Sequence, residues 1–408
     1  MTAATPIGYR HFITSHWRTL CFGGVLMAMS SAGQTFFIAL FGERIRADFH
    51  LSDGHFGTAY AAATIASATT MAWVGRLVDT VSVRKFTLAI ALVLASACLL
   101  LAWSPNLPVL VVSLYLLRLT GQGLMAHTAM TTIARALPAD RGKGIGLAAM
   151  GLALGEALFP IAAVWGISSL GWRPVWLINA GIVLMGLTLA LTLARSSFGQ
   201  KTRPSVSQTP TGLPEAAVWR DSQFLRSMPI LLCSPFITTA VFFHQTRLAQ
   251  EKGWALRWIA SWFVAYALAR AASLILVGSV LDRHSAARVL PWMAVPLGLA
   301  MLVIGLTGAP FAVPVYMVLF GLTAAAASML GTALWAELYG THRLGKIRAL
   351  TEGGNVLASG LAPALMGLLI DRGITLTTQT LGLAAIVVVA GLCASDLIVV
   401  VRRAGVSA

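Results

Sequence analysis

Long apolar runs alternate with short polar gaps along the whole chain. A helix that spans a bilayer needs about 20 predominantly apolar residues, and twelve runs reach that length. They cover residues 19–41, 55–76, 84–104, 108–133, 143–168, 172–195, 228–247, 256–279, 287–307, 310–336, 344–370 and 374–401. The first run is too long for a secretory signal peptide and has no clear cleavage site. The pattern predicts an all-α membrane protein with twelve transmembrane helices.

The two halves of the chain repeat each other at a fixed offset of 203 residues. The matching pairs are Gly75 and Gly278, Asp79 and Asp282, Gly151 and Gly354, and Pro160 and Pro363. An offset held over this distance without an insertion indicates two copies of one unit. We therefore expect two pseudo-symmetric six-helix bundles, 1–195 and 228–408, joined by a polar cytoplasmic linker over 196–227.

The composition agrees with a membrane protein. Of 408 residues, 57% are hydrophobic and 11% are charged, whereas soluble proteins carry about 25% charged residues. The net charge of +15 is spread over the gaps, so it does not predict a nucleic-acid partner, which would need one basic face. Four cysteines lie inside apolar runs without paired spacing, so neither a disulfide framework nor a metal site is predicted. No cofactor is predicted.

The lysines and arginines predict the orientation. With the N-terminus inside, 20 of the 29 fall on the inner side, seven fall outside and two lie within the membrane. Positive residues concentrate on cytoplasmic loops, so both termini are predicted to be cytoplasmic. We expect a multi-pass monomer in the plasma membrane, which for a bacterium is the inner membrane.

Three motifs resemble those of the major facilitator superfamily of secondary transporters. They are Gly75-x-Leu77-x-Asp79 with its second copy, Arg118-Leu-Thr-Gly-Gln-Gly123, and Gly151 and Gly155 followed by Pro160. The resemblance implies a transporter rather than an enzyme, with a midplane site between the halves and alternating access. Two features depart from the family: Thr80 and Ser82 replace its usual Arg and Gly, and Glu156 replaces the Pro of the antiporter motif.

The loop motif is implied to act as a conformational latch. In the family its aspartate helps to hold the two halves in one state. The resemblance assigns this role to Gly75, Asp79 and Arg84, and to Gly278 and Asp282 in the second copy. The alternative is a solvated turn that only follows the charge rule.

Predicted helix 5 carries a stripe of small residues formed by Gly144, Ala148, Gly151 and Gly155. Such stripes let helices approach closely in lipid. We therefore expect another helix to pack against this face.

One arginine is placed to bind substrate. A charge near the bilayer centre costs at least about 2.5–3.5 kcal/mol, and Arg270 lies about 12 Å from the inner end of predicted helix 8. Trp262 and Tyr266 share its helical face. A guanidinium beside aromatic rings is suited to bind a carboxylate. Arg270 resembles the helix-8 arginine of monocarboxylate and oxalate transporters, although Arg270 lies one turn farther from the loop aspartate than that arginine usually does. The alternative is a structural ion pair with Glu156 or Glu352.

Three further charged residues are candidates for proton coupling. Burial favours the neutral form of a carboxyl group, which makes Glu156 a candidate proton site, and Glu352 lies on a polar face of predicted helix 11. The resemblance implies coupling by Arg118. For Glu156 and Arg118 the alternative is a mutual ion pair.

Polar residues complete the predicted cavity. Asn355 shares the face of Glu352, while Gln34 and Thr238 are candidate cavity donors or interhelical hydrogen-bonding groups. These features predict a proton-coupled symporter of a small organic anion, in the style of a monocarboxylate. Efflux of an amphipathic or cationic compound is the alternative transporter function. A membrane sensor or intramembrane enzyme is disfavoured because the sequence shows no soluble domain and no catalytic constellation.

Overall fold

The computed structural model describes residues 9–194, 220–340 and 344–405, which form helices and no strands. Each predicted run overlaps one long helix. The helices are α1 Tyr9–Met29, α2 Asp53–Val74, α3 Val83–Ala102, α4 Leu107–Ala136, α5 Arg141–Leu170, α6 Trp172–Leu193, α7 Ser222–Phe243, α8 Leu256–Leu281, α9 Ala286–Leu306, α10 Ala312–Tyr339, α11 Leu344–Asp371 and α12 Leu376–Gly405. The predicted fold class is confirmed.

Ten of these helices are long and apolar enough to cross a membrane, and α1 with its bent continuation forms an eleventh candidate span. Helix α2 is not among these candidates, and its 22 residues include many small and polar side chains. Most of the predicted linker lies outside the described residues. Its described end is partly helical, because α7 begins at Ser222 rather than near residue 228.

The first span differs from the prediction of one continuous helix over 19–41. It begins ten residues earlier, at Tyr9, and its two parts meet at an angle of 46°. After α1 come a 3-10 turn Ser30–Gly33, an extended Gln34, a short helix Thr35–Ile38, a 3-10 turn Ala39–Phe41 and a helix Gly42–Phe49. The prediction was wrong here because an uninterrupted apolar run does not reveal a local change of backbone conformation.

Three other spans also contain irregular turns. Helix α4 passes through a π-helical segment Arg118–Met125, α8 is interrupted at Trp262, and α9 contains a 3-10 turn Leu290–Met293. Short helices Leu77–Thr80 and Gln245–Lys252 follow α2 and α7. A π-helical turn inside an α-helix frequently marks a functional site.

The helix boundaries confirm the internal repeat. Helices α3 and α9 begin 203 residues apart, as do α5 and α11. The helix Gly42–Phe49 corresponds in the same way to Gln245–Lys252. Both end on a left-handed residue, His50 with φ 52° and Gly253 with φ 68°. The offset therefore relates backbone conformations as well as residue types.

The described chain forms two compact units. The first contains residues 9–37, 66–159 and 166–194, and the second contains residues 38–65, 160–165, 220–340 and 344–405. In the first unit α3 packs along α6, and the predicted small-residue face of α5 packs on α1. In the second unit α8 packs along α10, α9 along α12, and α7 along α11.

Glu251 caps the N-terminus of α12. Its carboxylate accepts hydrogen bonds from the backbone N–H groups of Leu376 and Thr377, each at 2.8 Å, and from the Thr377 hydroxyl. Burial raises the pKa of Glu251, but these hydrogen bonds and the neighbouring Lys252 outweigh it, so the net pKa lies below the usual value. A carboxylate at a helix N-terminus satisfies free donors and interacts favourably with the helix dipole.

Glu251→Gln is expected to lower the free energy of unfolding by about 1 kcal/mol, the usual contribution of such a cap. Because the folded-state pKa is depressed, the contribution is present above the unfolded-state pKa and is lost as pH falls through the folded-state value. Thermal unfolding in detergent between pH 3 and pH 7 measures both effects. The exposed neighbour Gln250 offers the control Gln250→Ala; an equal loss in both variants would contradict the cap.

Candidate functional site

The break after α1 is held by Arg118, which is 4% exposed. Its guanidinium donates to the Gly33 carbonyl at 3.2 Å and to the Thr35 hydroxyl at 3.2 Å. The two backbone segments approach so closely here that a side chain at Gly33 would overlap the Leu117 carbonyl. A helix end leaves carbonyls without intrahelical partners, and Arg118 supplies a donor to one of them.

Two further predicted site residues, Glu156 and Gln34, belong to the first unit and lie near this break. Glu156 is 4% exposed on α5, and the preceding Gly155 faces the Ser31 side chain. Gln34 lies at the break itself, half-buried and extended. A buried carboxyl group and a buried guanidinium beside unwound backbone form a site that can hold a proton or a polar ligand.

A cavity of about 280 Å³ lies in the second unit between α7, α8, α10 and α11. Four predicted residues line it, namely Thr238, Tyr266, Glu352 and Asn355. Its wall also includes two residues that were not predicted to bind, Trp335 and Arg348. The cavity thus combines aromatic surface, hydroxyl and amide groups, one guanidinium and one carboxylate.

Arg270 and Trp262 are not among the described residues that line the cavity. Arg270 is half-buried one helical turn beyond Tyr266, where its backbone packs against Gly321 of α10. Trp262 lies at the interruption of α8, and its ring meets that of Trp258 with centroids 5.4 Å apart. The prediction of one continuous face for these residues assumed a helix without that interruption.

The two copies of the loop motif make different contacts. Asp79 forms an ion pair with Arg135 at the end of α4, and Arg135 also donates to the Val78 carbonyl at 3.1 Å. In the second copy, Glu337 accepts from the Ala286 N–H at 2.7 Å and so caps α9. Asp282 lies exposed at the end of α8.

The remaining latch residues lie nearby. Arg84 is exposed in the first turn of α3. Gly75 is buried at the end of α2, and Gly278 lies in α8 near Met329. A latch role for these residues remains a prediction.

A double variant that combines Asp79→Arg with Arg135→Asp exchanges the two charges and tests the ion pair. Each single change is expected to cost less than about 1 kcal/mol of stability, because both side chains are partly exposed and such pairs contribute little. The double variant is expected to recover most of the transport rate lost by each single variant. A double-mutant cycle measures this coupling, with the exposed Lys85→Gln as control. Additive losses would contradict a latch that depends on the pair.

Comparison with known proteins identifies the family. The sequence model described as Major Facilitator Superfamily matches residues 20–262. The chain belongs to the Major Facilitator Superfamily. No curated protein matches it closely enough to count as a relative. Membership of this superfamily makes the chain a multi-pass transporter rather than an enzyme.

Solved superfamily structures share the fold at low sequence identity. The crystal structure of the nucleoside transporter NupG has a TM-score of 0.73 and 14% identity, and covers 93% of this chain and 99% of that one. A bacterial homolog of the human lysosomal transporter Spinster, crystallised inward-facing and unoccupied, has a TM-score of 0.68 and 14% identity, with 96% and 98% covered. At these identities the similarity shows the fold alone.

Two residues of this superfamily member were missed as site residues because their charges fitted the orientation rule. They are Arg348 and Arg135, which belong to the 20 lysines and arginines counted on the inner side. Arg348 lies one turn before Glu352 on the polar face of α11 that also carries Asn355. This shared face is the signal in the sequence that points to Arg348. Among the described residues, no group of three or more His, Cys, Asp or Glu side chains is placed to hold a metal ion.

Proposed function

We propose that this superfamily transporter moves a small organic anion, such as a monocarboxylate, by alternating access coupled to protons. The cavity in the second unit carries the proposal. Its volume of about 280 Å³ is slightly below the range of about 300–1,000 Å³ of pockets for drug-sized ligands, so it suits a small solute. Arg348 supplies a guanidinium for a carboxylate, while Tyr266 and Trp335 supply aromatic surface for the rest of the molecule.

Two polar atoms in the wall support ligand binding. Within the described part of the chain, neither the Thr238 hydroxyl nor the Asn355 side-chain oxygen has a hydrogen-bond partner. Most buried polar groups are hydrogen-bonded. A substrate that donates a hydrogen bond as well as presenting a carboxylate would satisfy these groups, which favours a hydroxy acid over a plain hydrocarbon carboxylate.

The charges of α11 supply a reason for proton coupling. Arg348 and Glu352 are four residues apart, so both can reach one ligand. An ionised Glu352 would repel an anion bound at Arg348, and a proton on Glu352 would remove that repulsion. Anion and proton would then bind together, as symport requires. Glu156 and Arg118, at the break in the first span, are the second proposed proton-coupling group.

Thermal unfolding of detergent-purified protein tests the binding site. A ligand present at 100 times its dissociation constant stabilises the folded state by about 2.7 kcal/mol. We expect stabilisation by one of a panel of small carboxylates, and loss of that shift in Arg348→Gln. Arg270→Gln tests the earlier candidate in parallel, and Arg257→Gln, at an exposed site, is the control. A carboxylate shift that survives in Arg348→Gln and disappears in Arg270→Gln would move the anion site to Arg270.

Efflux of an amphipathic or cationic compound is the second candidate function. It is favoured by the carboxylate of Glu352 and the aromatic residues Tyr266 and Trp335 in the same cavity. A thermal shift produced only by lipophilic cations, and lost in Glu352→Gln, would support this function and exclude the anion proposal.

We also propose a location and an assembly state. The distribution of lysines and arginines supports the bacterial inner membrane with both termini in the cytoplasm. The protein would function there as a monomer. Its partners would be the substrate, protons and the surrounding lipid.

A further inference from the structure

His244 follows α7 and is almost completely enclosed, with 2% of its surface exposed. Within the second unit its ring lies between two oxygen atoms. Nε2 is 3.0 Å from the Pro363 carbonyl of α11, and Nδ1 is 3.7 Å from a carboxylate oxygen of Asp53 at the start of α2.

The chemistry of the two neighbours selects one form of the ring. A carbonyl oxygen can only accept, so Nε2 carries a hydrogen and donates it. In the neutral ring, Nδ1 would then direct a lone pair toward the carboxylate. The protonated ring instead presents an N–H to each oxygen. Asp53 also contacts Arg46 at 2.6 Å, and this positive charge favours the ionised carboxylate.

Four charged groups lie on the elements that pack near the ring. Asp53 and Arg46 come from α2 and the helix Gly42–Phe49, and Arg247 comes from the helix Gln245–Lys252. Asp371 of α11 accepts from the Ser52 hydroxyl at 2.7 Å and from the Gly54 N–H at 3.0 Å.

Of these groups, Asp53 is the acid in direct reach of the ring. The two arginines oppose a further positive charge, but Arg46 is already paired with Asp53 and Arg247 is exposed to screening solvent. The contact with Asp53 is therefore the interaction that a proton on the ring would strengthen.

The contact joins the two copies of the repeat. Asp53 belongs to the first copy, whereas His244 and Pro363 belong to the second. Alternating access moves one copy relative to the other, so an opening on this side would separate His244 from Asp53. A contact that favours the protonated ring is in turn strengthened by protonation, because linkage is reciprocal.

We propose that His244 is a proton-binding residue whose protonated form holds Asp53, and so keeps the two copies together on the predicted outer side. Loss of the proton weakens the contact and favours opening there. The inference rests on the proposed alternating access and adds a proton site separate from Glu156 and Glu352. Histidine suits this role because its ring has a neutral and a protonated form, and only the protonated form can donate from both nitrogens.

Distance measurements between spin labels test the proposal without any substrate. Labels at Ala47→Cys and Arg372→Cys, both exposed, would be introduced after the four native cysteines are replaced by serine. Double electron–electron resonance in lipid nanodiscs at pH 5.5 and pH 8.0 gives the populations of short and long distances. We expect the short-to-long ratio to be about fivefold or more higher at pH 5.5, within the usual range of coupling between sites.

His244→Gln is expected to remove this pH dependence, since a neutral amide can still donate to Pro363 but cannot gain a charge. The exposed His55, two residues from Asp53, provides the matched control His55→Gln, which should retain the dependence. Asp53→Asn is a second variant that should remove it. A pH-independent wild type, or an unchanged response in folded His244→Gln or Asp53→Asn, would overturn the proposal. Because no anion is used, failure of the proposed substrate class would leave this result unaffected.

Discussion

Gly151→Leu is expected to prevent accumulation of the folded protein. Gly151 of α5 packs so closely on α1 that even a Cβ atom would overlap the Gly24 carbonyl. That atom belongs to the backbone, so it cannot move aside as the end of a side chain can. Overpacking a core usually costs about 1–3 kcal/mol and occasionally more. We expect more than about 3 kcal/mol here, a large part of the stability of a typical domain.

Gly146→Leu is the matched control on the same helix. Gly146 is exposed, and no atom beyond its neighbouring residues and the backbone of its own helix lies within 4 Å of a Cβ built there. Leucine also has a higher helix propensity than glycine, so this variant should be as stable as the wild type or more so. Fluorescence size-exclusion chromatography after membrane extraction measures both variants. A monodisperse Gly151→Leu protein at wild-type yield would contradict the close packing of α5 on α1.

Arg118→Gln is expected to abolish transport. Arg118 is buried and bonds the Gly33 carbonyl and the Thr35 hydroxyl at the break after α1. Hydrogen bonds to a charged group contribute about 1.5–3 kcal/mol each, and Arg118 donates two of them here. A loss of about 2.7 kcal/mol already corresponds to a hundredfold change in an equilibrium, so flux should fall by at least about that factor.

Arg118→Lys separates charge from geometry. Lysine keeps the positive charge but not the planar fork that serves two acceptors at once. We expect Arg118→Lys to fold and to retain only part of the wild-type flux. Initial rates of solute uptake into proteoliposomes, normalised to reconstituted protein, measure the difference. Full activity in both folded variants would show that the break after α1 does not depend on Arg118.

The regular part of the fold follows from the sequence because burial in lipid and helical periodicity act locally. The 203-residue offset predicted the matched starts of α3 and α9, and of α5 and α11. The stripe Gly151 and Gly155 predicted the close packing of α5, which the structure confirms. The irregular turns did not follow, because the chain enters the 3-10 turn at Ser30 and the π-helical turn at Arg118 through contacts between distant segments.

The candidate site was only partly predictable for the same reason. Thr238, Tyr266, Glu352 and Asn355 were identified as polar or aromatic residues in apolar helices, and they do line one cavity. Arg348 was classified by charge alone, although it lies one turn from Glu352.

His244 shows a further limit of sequence reasoning. Its partner Asp53 is 191 residues away in the sequence, and neither side chain is unusual in its own segment. No local pattern could therefore have paired them.

Counterflow and uptake of a radiolabelled carboxylate in proteoliposomes test the central claim most directly. The probe is the carboxylate that raises the unfolding temperature most, and the gradient is acid outside. The proposed function predicts saturable uptake that collapses when the proton gradient is dissipated and that is lost in Arg348→Gln. Equal uptake by wild type and Arg348→Gln, or flux of lipophilic cations alone, would contradict it.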